Sequence, residues 1–237
     1  MSELPSVPPA GPPAAPETPV RLEVAGRHLT RWLCTPEHLE ALAAGWLVCE
    51  GLARDGEAMG DIRFDPETST VHAPLSPAPG GTVEPDFRLD RIPAEGPRAG
   101  EPLRRILTGD GTLPALFRAM FDRCTRREAG GGMHAGGLVR DGSLVDVVED
   151  VGRQNVVDKL VGMSVLRGES TRGDLLLASG RISGAIAAKA WRAGLAAVAS
   201  LSIPTTLARD LAQKVGITLV GRAARSAPHV YWPGSAP

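Results

Sequence analysis

A polar stretch at residues 130–159 combines residue types that core sequence rarely combines, and it reads GGGMHAGGLVRDGSLVDVVEDVGRQNVVDK. Its side chains include an imidazole, two adjacent carboxyls, a guanidinium and an amide, which together could hold a polar ligand through charge and hydrogen bonds. The candidate ligand-binding residues are His134, Glu149, Asp150, Arg153 and Asn155. A plainer alternative is a capped helix start, with Asp150 as the N-cap and with Arg153 and Asp158 on a solvated surface.

The elements that position these residues follow from the pattern around them. Residues 133–139 and 144–148 read as two strands, with Asp141 and Gly142 forming the hairpin turn between them. Beyond Gly152, apolar residues recur at helical spacing. The polar residues therefore lie where a strand passes into a helix. Such places often form sites, because the first amides of a helix are unpaired.

The whole chain has a globular composition and gives little drive toward nucleic acid or membrane. Of its 237 residues, 43% are hydrophobic and 22% are charged, and the net charge is -1. No apolar run is long enough to span a bilayer, and the first residues lack the basic and apolar regions of a signal peptide. Three cysteines at long spacings form neither a disulfide framework nor a zinc set, which indicates a reducing cytoplasm and no metal site.

The chain divides into three parts by composition. Residues 1–18 are rich in proline and alanine and are expected to form a disordered tail. Residues 19–111 are expected to form an N-terminal α+β portion, which ends in a long loop at residues 76–111 that is rich in proline and glycine. Residues 112–237 are expected to form an α/β portion that binds the ligand.

Two cysteines are candidate thiols for nucleophilic chemistry. Cys34 lies where a predicted strand passes into a helix that is expected to begin at Thr35 and Pro36. Cys124 falls on the apolar stripe of a predicted helix that begins at Thr112. For both cysteines, packing in the core is the alternative to reactivity.

Strands and helices alternate in the last third of the chain, which predicts right-handed crossovers and a partly parallel sheet. Two turns then follow strand ends at one edge of that sheet, where ligands bind in such folds. The first turn offers a phosphate cradle of helix-start amides and the side chains of Ser179, Arg181 and Ser183. The second turn offers Ser202 and Thr205, for which ordinary helix caps are the alternative.

Acidic residues are also expected near this edge of the predicted sheet. If their strand lies in this sheet, Glu149 and Asp150 lie near the phosphate cradle, and a carboxylate can accept two hydrogen bonds from the N1 and N2 edge of guanine. The combination therefore suits a guanine nucleotide. Asp158 and Lys159 are expected to pair with neighbours and fix their helix, and Lys189 is expected at the surface.

Several motifs resemble, in order and spacing, those of the formate dehydrogenase accessory sulfurtransferase family (FdhD). They are CTPEHLEALAAGWLVCEG, GGGMHAGG, EDVGRQNVVDK, SGRIS followed by Lys189, SIPTTLA and ITLVG, and they extend from about residue 20 to 232. The resemblance implies a cytidine-deaminase-like α/β fold, with a mixed sheet and flanking helices, and a homodimer. It also implies binding of molybdopterin guanine dinucleotide or a guanine nucleotide such as GDP. The implied partners are a cysteine desulfurase and the catalytic subunit of formate dehydrogenase.

The chain departs from the family's pattern in its sulfur chemistry. Family members usually carry a Cys-x-x-Cys loop ahead of the Gly-Gly-x-His motif, whereas residues 76–111 contain no cysteine. Gln154 stands where the family usually has histidine, and Ala185 where it usually has glutamate. Sulfur transfer needs a thiolate to receive and pass sulfane sulfur. We therefore expect cofactor binding, with sulfur transfer reduced, lost or atypical.

Two alternatives stay open at this point: an active sulfurtransferase that uses Cys34 or Cys124, and a binding protein that has left molybdenum metabolism. A zinc nucleoside deaminase is excluded, because His134 is followed by Ala135 and Gly136 rather than by glutamate two positions on, and no Cys-x-x-Cys occurs. A Rossmann dehydrogenase is excluded because no Gly-x-Gly-x-x-Gly opens a strand–helix unit.

Overall fold

The structure is a computed structural model that describes residues 14–53, 60–74, 101–108, 111–126, 131–225 and 228–233. Its strands are β1 (Thr18–Val24), β2 (Arg27–Cys34), β3 (Arg63–Asp65), β4 (Thr70–Ala73), β5 (His134–Arg140), β6 (Ser143–Asp150), β7 (Leu175–Ala178), β8 (Ala197–Ser200), β9 (Thr218–Gly221) and β10 (His229–Pro233). Its helices are α1 (Leu39–Cys49), α2 (Glu101–Thr108), α3 (Thr112–Asp122), α4 (Arg153–Leu166), α5 (Gly184–Arg192) and α6 (Thr206–Val215).

The N-terminal part of the chain forms a small mixed sheet in the order β2-β1-β4-β3. β1 is its centre, antiparallel to β2 and parallel to β4. Alternate residues of β1, namely Val20, Leu22 and Val24, are buried, as a strand with one covered face requires. This sheet positions the end of β2, from which the chain turns into α1.

The larger sheet has the order β10-β9-β8-β7-β5-β6. β7, β8 and β9 run parallel, whereas β5 pairs antiparallel with both β7 and β6, and β10 pairs antiparallel with β9. The predicted α/β class with a mixed sheet and flanking helices is therefore confirmed. Within the described ranges, no helix is long and apolar enough to cross a membrane.

The two turns that follow β7 and β8 meet at one edge of this sheet, as predicted. Ile182 and Pro204 form a parallel bridge between them, and the Thr205 amide donates to the Ile182 carbonyl at 2.9 Å. Because β5 runs antiparallel to β7, its first residue reaches the same edge. There His134 pairs in register with Asp150, the last residue of β6.

A glycine contact between α1 and α4 joins the two halves of the fold. A Cβ on Gly45 would overlap the carbonyl oxygen of Asp158, and a Cβ on Gly162 would overlap that of Ala41. The two helices therefore touch backbone to backbone, which only glycine permits. The core around them contains residues from both sheets, including Leu22 of β1 and Leu176 of β7.

Three predictions about element boundaries were wrong. α1 begins at Leu39, after His38 in a left-handed conformation with φ 52°, and not at Pro36 with Thr35 as its cap. α2 lies inside the predicted loop at residues 76–111, because the density of proline and glycine there hid its apolar spacing; the rest of that loop up to residue 100 lies outside the described residues. α3 ends at Asp122, so Cys124 lies just beyond the helix.

The predicted tail at residues 1–18 lies mostly outside the described residues, which begin at residue 14. Thr18, its last position, already belongs to β1 and pairs with Cys34. The prediction that residues 1–13 form a disordered tail stays a prediction.

We expect Gly45→Ala to destabilise the protein by about 3 kcal/mol, because neither backbone at the α1–α4 contact can move away from the added methyl group. Helix propensity alone predicts the opposite sign, a gain of about 1 kcal/mol for alanine over glycine. Urea unfolding followed by circular dichroism measures the difference. A stabilised Gly45→Ala protein would contradict the close contact.

Candidate functional site

A buried carboxylate lies at the end of β6. Asp150 has no exposed surface, and its two oxygens accept four hydrogen bonds. The donors are the Thr35 amide at 3.1 Å, Lys159 Nζ at 2.5 Å, the Gly152 amide at 2.7 Å and Asn155 Nδ2 at 2.9 Å. Asp150 therefore holds neighbouring parts of the protein together, with both of its oxygens engaged by the protein itself.

The same cluster ties the β2–α1 junction to α4. Lys159 Nζ also donates to the Thr35 carbonyl at 2.9 Å, and Asn155 Nδ2 also donates to the Leu33 carbonyl at 2.9 Å. Lys159 thus pairs with a neighbour, as expected. The N-cap of α4 is Gly152 and not Asp150, and no side chain caps this helix.

An open cavity of about 430 Å³ lies beside this cluster, between β2, α1 and the start of α4. It is lined by Arg31, Trp32, Leu33, Trp46, His134, Val151, Gly152, Arg153, Gln154, Asn155, Asp158 and Lys189. The lining combines aromatic rings with cationic and amide groups, as sites for charged, planar ligands do.

Two tryptophans form the aromatic part of the wall. The rings of Trp32 and Trp46 meet edge to face, with centroids 6.1 Å apart and an angle of 79° between their planes. The Nε1 of Trp32 and the Nε of Arg153 are buried and have no hydrogen-bond partner within the described part of the chain. Both residues line the cavity, but these two nitrogen atoms are themselves buried.

A buried ion pair lies at the inner end of the cavity. Lys189 is 3% exposed, so its predicted surface position was wrong. Its Nζ donates to both oxygens of Asp158, at 2.9 and 3.0 Å, and pairs with Glu50 at 2.7 Å. Burial alone would lower the pKa of Lys189, but the negative charges of Asp158 and Glu50 outweigh burial and raise that pKa. Lys189 therefore stays charged.

The turn after β7 reaches the rim of the cavity. A Cβ on Gly180 would lie 3.1 Å from His134 Nδ1 and 3.8 Å from Arg153 Cδ, so this glycine contacts two cavity residues closely. Ser179 Oγ accepts from the Ala135 amide at 2.9 Å. Arg181 follows directly and is exposed.

Two hydroxyl groups of these turns cap the helices that follow them. Ser183 Oγ accepts from the Ile186 amide at 3.4 Å and caps α5. Thr205 Oγ1 accepts from the Ala208 amide at 3.3 Å and caps α6. Ser202 is half-buried beside Thr205. Among the described residues that line the cavity, none belongs to the turn after β8.

Glu149 lies on the opposite face of the sheet from Asp150, because successive side chains of a strand alternate. Its Oε2 accepts from the Arg126 amide at 2.9 Å. It lines a second cavity, of about 400 Å³, with Glu37, His38, Arg123, Thr125, Arg126, Val147 and Val148. The two adjacent acids, predicted to act together, are thus separated by the sheet.

All three cysteines of the chain are buried as free thiols. Burial raises the pKa of Cys34 to about 11 and that of Cys49 well above its ordinary value. Cys124 Sγ lies 3.2 Å from the Met120 carbonyl. Little thiolate forms at neutral pH under these conditions. Within the described residues, no group of three or more His, Cys, Asp or Glu side chains could hold a metal ion.

Sequence reasoning missed several residues of the cavity wall. Trp32 and Trp46 gave no local signal, since aromatic residues at strand or helix spacing are ordinary core residues. Lys189 was noted after the SGRIS motif but was expected at the surface, because a helical lysine is ordinarily exposed. His134, Arg153 and Asn155 were predicted and do line the cavity. Whether any of these residues binds a ligand stays a prediction.

Comparisons with known proteins all match this chain to one family. The family model described as FdhD/NarQ family matches residues 15–235. A sulfur carrier protein FdhD from Streptomyces coelicolor is 35% identical over 249 residues, which cover 91% of this chain and 85% of that protein. The sulfur carrier protein FdhD of Geobacillus kaustophilus is 32% identical over 230 residues, which cover 91% and 86%.

A solved structure has a similar fold. It is a crystal structure of a protein assigned as a formate dehydrogenase accessory protein, from Desulfotalea psychrophila. The TM-score is 0.74 at 24% sequence identity, and the match covers 91% of this chain and 86% of that one.

We expect Lys159→Met to destabilise the protein by about 3–5 kcal/mol, because it leaves the Asp150 charge buried without its cation. Arg209→Met is the matched control, since it breaks an ion pair whose side chains are 53% and 49% exposed. Breaking such a surface pair costs less than about 1 kcal/mol. Urea unfolding of both variants tests this, and equal losses would show that the Asp150 pair has no special weight.

Proposed function

The chain belongs to the FdhD/NarQ family, and on that premise we propose that it acts in formate dehydrogenase maturation by binding a guanine-containing molybdenum cofactor. The cargo would be molybdopterin guanine dinucleotide, and GDP would occupy part of the same site. The names of the relatives support a role in sulfur delivery for formate dehydrogenase. The cavity beside α4 supports the binding step.

The observation that carries the proposal is a cavity whose wall combines two tryptophan rings with two arginines. Its volume of about 430 Å³ lies within the range of about 300–1,000 Å³ for small-molecule sites. Trp32 and Trp46 provide faces or edges for a planar base or pterin. Arg31 and Arg153 supply positive charge for an anionic ligand. Gln154 supplies an amide that can both donate and accept.

A dinucleotide would extend beyond this cavity along the edge of the sheet. The rim at Gly180 lies against His134 and Arg153, so a ligand that crosses it would next meet Arg181, which is exposed. Arg181 would bind a phosphate there, and Ser179 and Ser183 would hold the turn that presents it. A site that consists of the cavity and the turn with Arg181 suits a ligand that has two separated polar parts.

Sulfur transfer would be reduced, lost or atypical in this chain. A carrier receives sulfur when its thiolate attacks the outer sulfur of a desulfurase persulfide; the S–S bond of that persulfide breaks and the desulfurase thiolate leaves. Cys34, with its pKa raised to about 11 by burial, is a poor thiolate for this attack, and Cys124 is also buried. Partnership with a cysteine desulfurase and with the formate dehydrogenase catalytic subunit, and a homodimer, remain parts of the proposal.

The second candidate function is an active sulfurtransferase that uses Cys34 or Cys124, which the names of the curated relatives favour. Local opening would have to expose one of these thiols. The third candidate, a binding protein outside molybdenum metabolism, gains support only if guanine nucleotides do not bind.

GDP is expected to bind the purified protein, and Arg181→Ala is expected to weaken binding about tenfold, because a hydrogen bond to a charged group is worth about 1.5–3 kcal/mol. Calorimetric titration measures both affinities. Arg209→Ala removes an exposed arginine on α6 and serves as the control, with unchanged affinity expected. Unchanged affinity of Arg181→Ala would remove Arg181 from the site, and failure of GDP to bind at millimolar concentration would favour the third candidate.

After treatment with a cysteine desulfurase and cysteine, we expect no persulfide on Cys34 or Cys124, because both thiols are buried. Mass spectrometry of the intact protein would detect the gain of a sulfur atom, and urea-unfolded protein shows that the thiols react once exposed. A persulfide in the native protein that disappears in Cys34→Ser or in Cys124→Ser would support the second candidate instead.

A further inference from the structure

β2 is an edge strand of the small sheet in the described part of the chain, and it turns backbone groups outward. The Arg21 amide of β1 donates to the Ser69 carbonyl at 2.9 Å, so it points away from its partner in register, Arg31. In such an antiparallel pair, the N–H and C=O groups of Arg31 and Leu33 point away from β1. The Leu33 carbonyl accepts from Asn155 at 2.9 Å. Within the described residues, the N–H and C=O groups of Arg31 and the N–H group of Leu33 have no partner.

The side chains along this edge are apolar and basic. Leu33 is 58% exposed, which is the largest exposed fraction among the large hydrophobic residues that the structure describes. An edge strand that exposes an apolar residue pairs readily with another strand. β2 also carries three basic residues and no acidic residue. A strand that added to this edge would therefore meet positive charge.

Two arginines lie opposite each other beside Leu33. Arg21 and Arg31 are partners in register, and both are exposed. Like charges directly opposite each other destabilise a sheet. Glu23, the acid on the exposed face of β1, lies 3.4 Å from His72 Nδ1, and neither arginine has an ion pair within the described part of the chain. An acidic side chain on an added strand would relieve this repulsion.

We infer that the outer edge of β2 is a docking site for an extended acidic segment of a partner protein, which adds to the small sheet as a strand. An acidic side chain of that segment lies opposite Arg31, and an apolar side chain packs on Leu33. A second copy of this chain fits the edge less well, because its own β2 brings the same basic residues. The inference does not depend on the proposed function.

The test measures binding to the full chain by fluorescence anisotropy. The probe is a labelled peptide with blocked ends and the sequence Thr-Glu-Thr-Val-Thr-Glu-Thr, whose acidic and apolar side chains share one face of a strand. A second peptide carries lysine in place of glutamate. Two further versions carry N-methyl groups, one on the threonine amides and the other on the glutamate and valine amides. Only alternate amides of an added strand face β2, so one of these two sets is needed for pairing.

The variants change the charge or the apolar contact separately. Arg31→Glu reverses the charge, and Leu33→Ser removes the exposed apolar group. Arg209→Glu and Leu166→Ser are the matched controls, because Arg209 lies on α6 with a side chain that is 53% exposed, and Leu166 ends α4 and is 47% exposed. Thermal unfolding and analytical ultracentrifugation of each variant report its folding and its mass.

The parent protein is expected to bind the glutamate peptide about tenfold more tightly than the lysine peptide. Arg31→Glu is expected to reverse this preference without a loss of thermal stability, because it places a carboxylate opposite Arg21. Leu33→Ser is expected to weaken the glutamate peptide about tenfold, and both controls are expected to bind like the parent. One N-methylated version is expected to lose binding and the other to keep it.

Four results would overturn the inference. They are failure of the glutamate peptide to bind at millimolar concentration, a charge preference that Arg31→Glu leaves unchanged, equal binding of both N-methylated versions, and a parent dimer that Arg31→Glu dissociates. The last result would assign the edge to a second copy of the chain. None of them bears on guanine nucleotide binding, which the titration with GDP measures separately.

Discussion

The buried charge of Asp150 is the constraint on which the site depends. A carboxylate without exposed surface is stable only when cations and N–H donors surround it. Here the donors come from the β2–α1 junction, from Gly152 and from the first two turns of α4. These donors reach Asp150 only when the three segments meet. The interactions that neutralise the charge of Asp150 therefore also fix β2, which carries Trp32, against the start of α4. The shape of the cavity follows from that requirement.

The sheet edge was predictable from the sequence because it depends on local patterns and a general rule. Alternating strands and helices imply parallel strands, and parallel strands place their following turns side by side, as Ile182 and Pro204 do. His134, Arg153 and Asn155 could be placed at that edge for the same reason. The alternation of strand side chains also carried the information that Glu149 and Asp150 face opposite ways, although adjacency in sequence suggested a joint role.

The cavity itself was not predictable, because its walls come from distant segments. The Thr35–Asp150 hydrogen bond spans 115 residues, and no local pattern in β2 indicates that Trp32 meets α4. Lys189 illustrates the same limit, since helical lysines are ordinarily solvated and only the convergence of Asp158 and Glu50 makes its burial favourable. Element boundaries failed where tertiary bonds override local propensity, as at Thr35, whose backbone is engaged by Asp150 and Lys159.

The glycine crossing of α1 and α4 has a mechanical consequence. Helices that touch backbone to backbone cannot slide along each other, because the positions next to Gly45 and Gly162 carry side chains such as those of Trp46 and Val161. Close-packed contacts of this kind have low compressibility. Trp46 is carried by α1 and Arg153 by α4, so the gap between them is held at a set width. A ligand would therefore meet a cavity of fixed width. Its affinity would depend more on the size of the ligand than on a change in the shape of the protein.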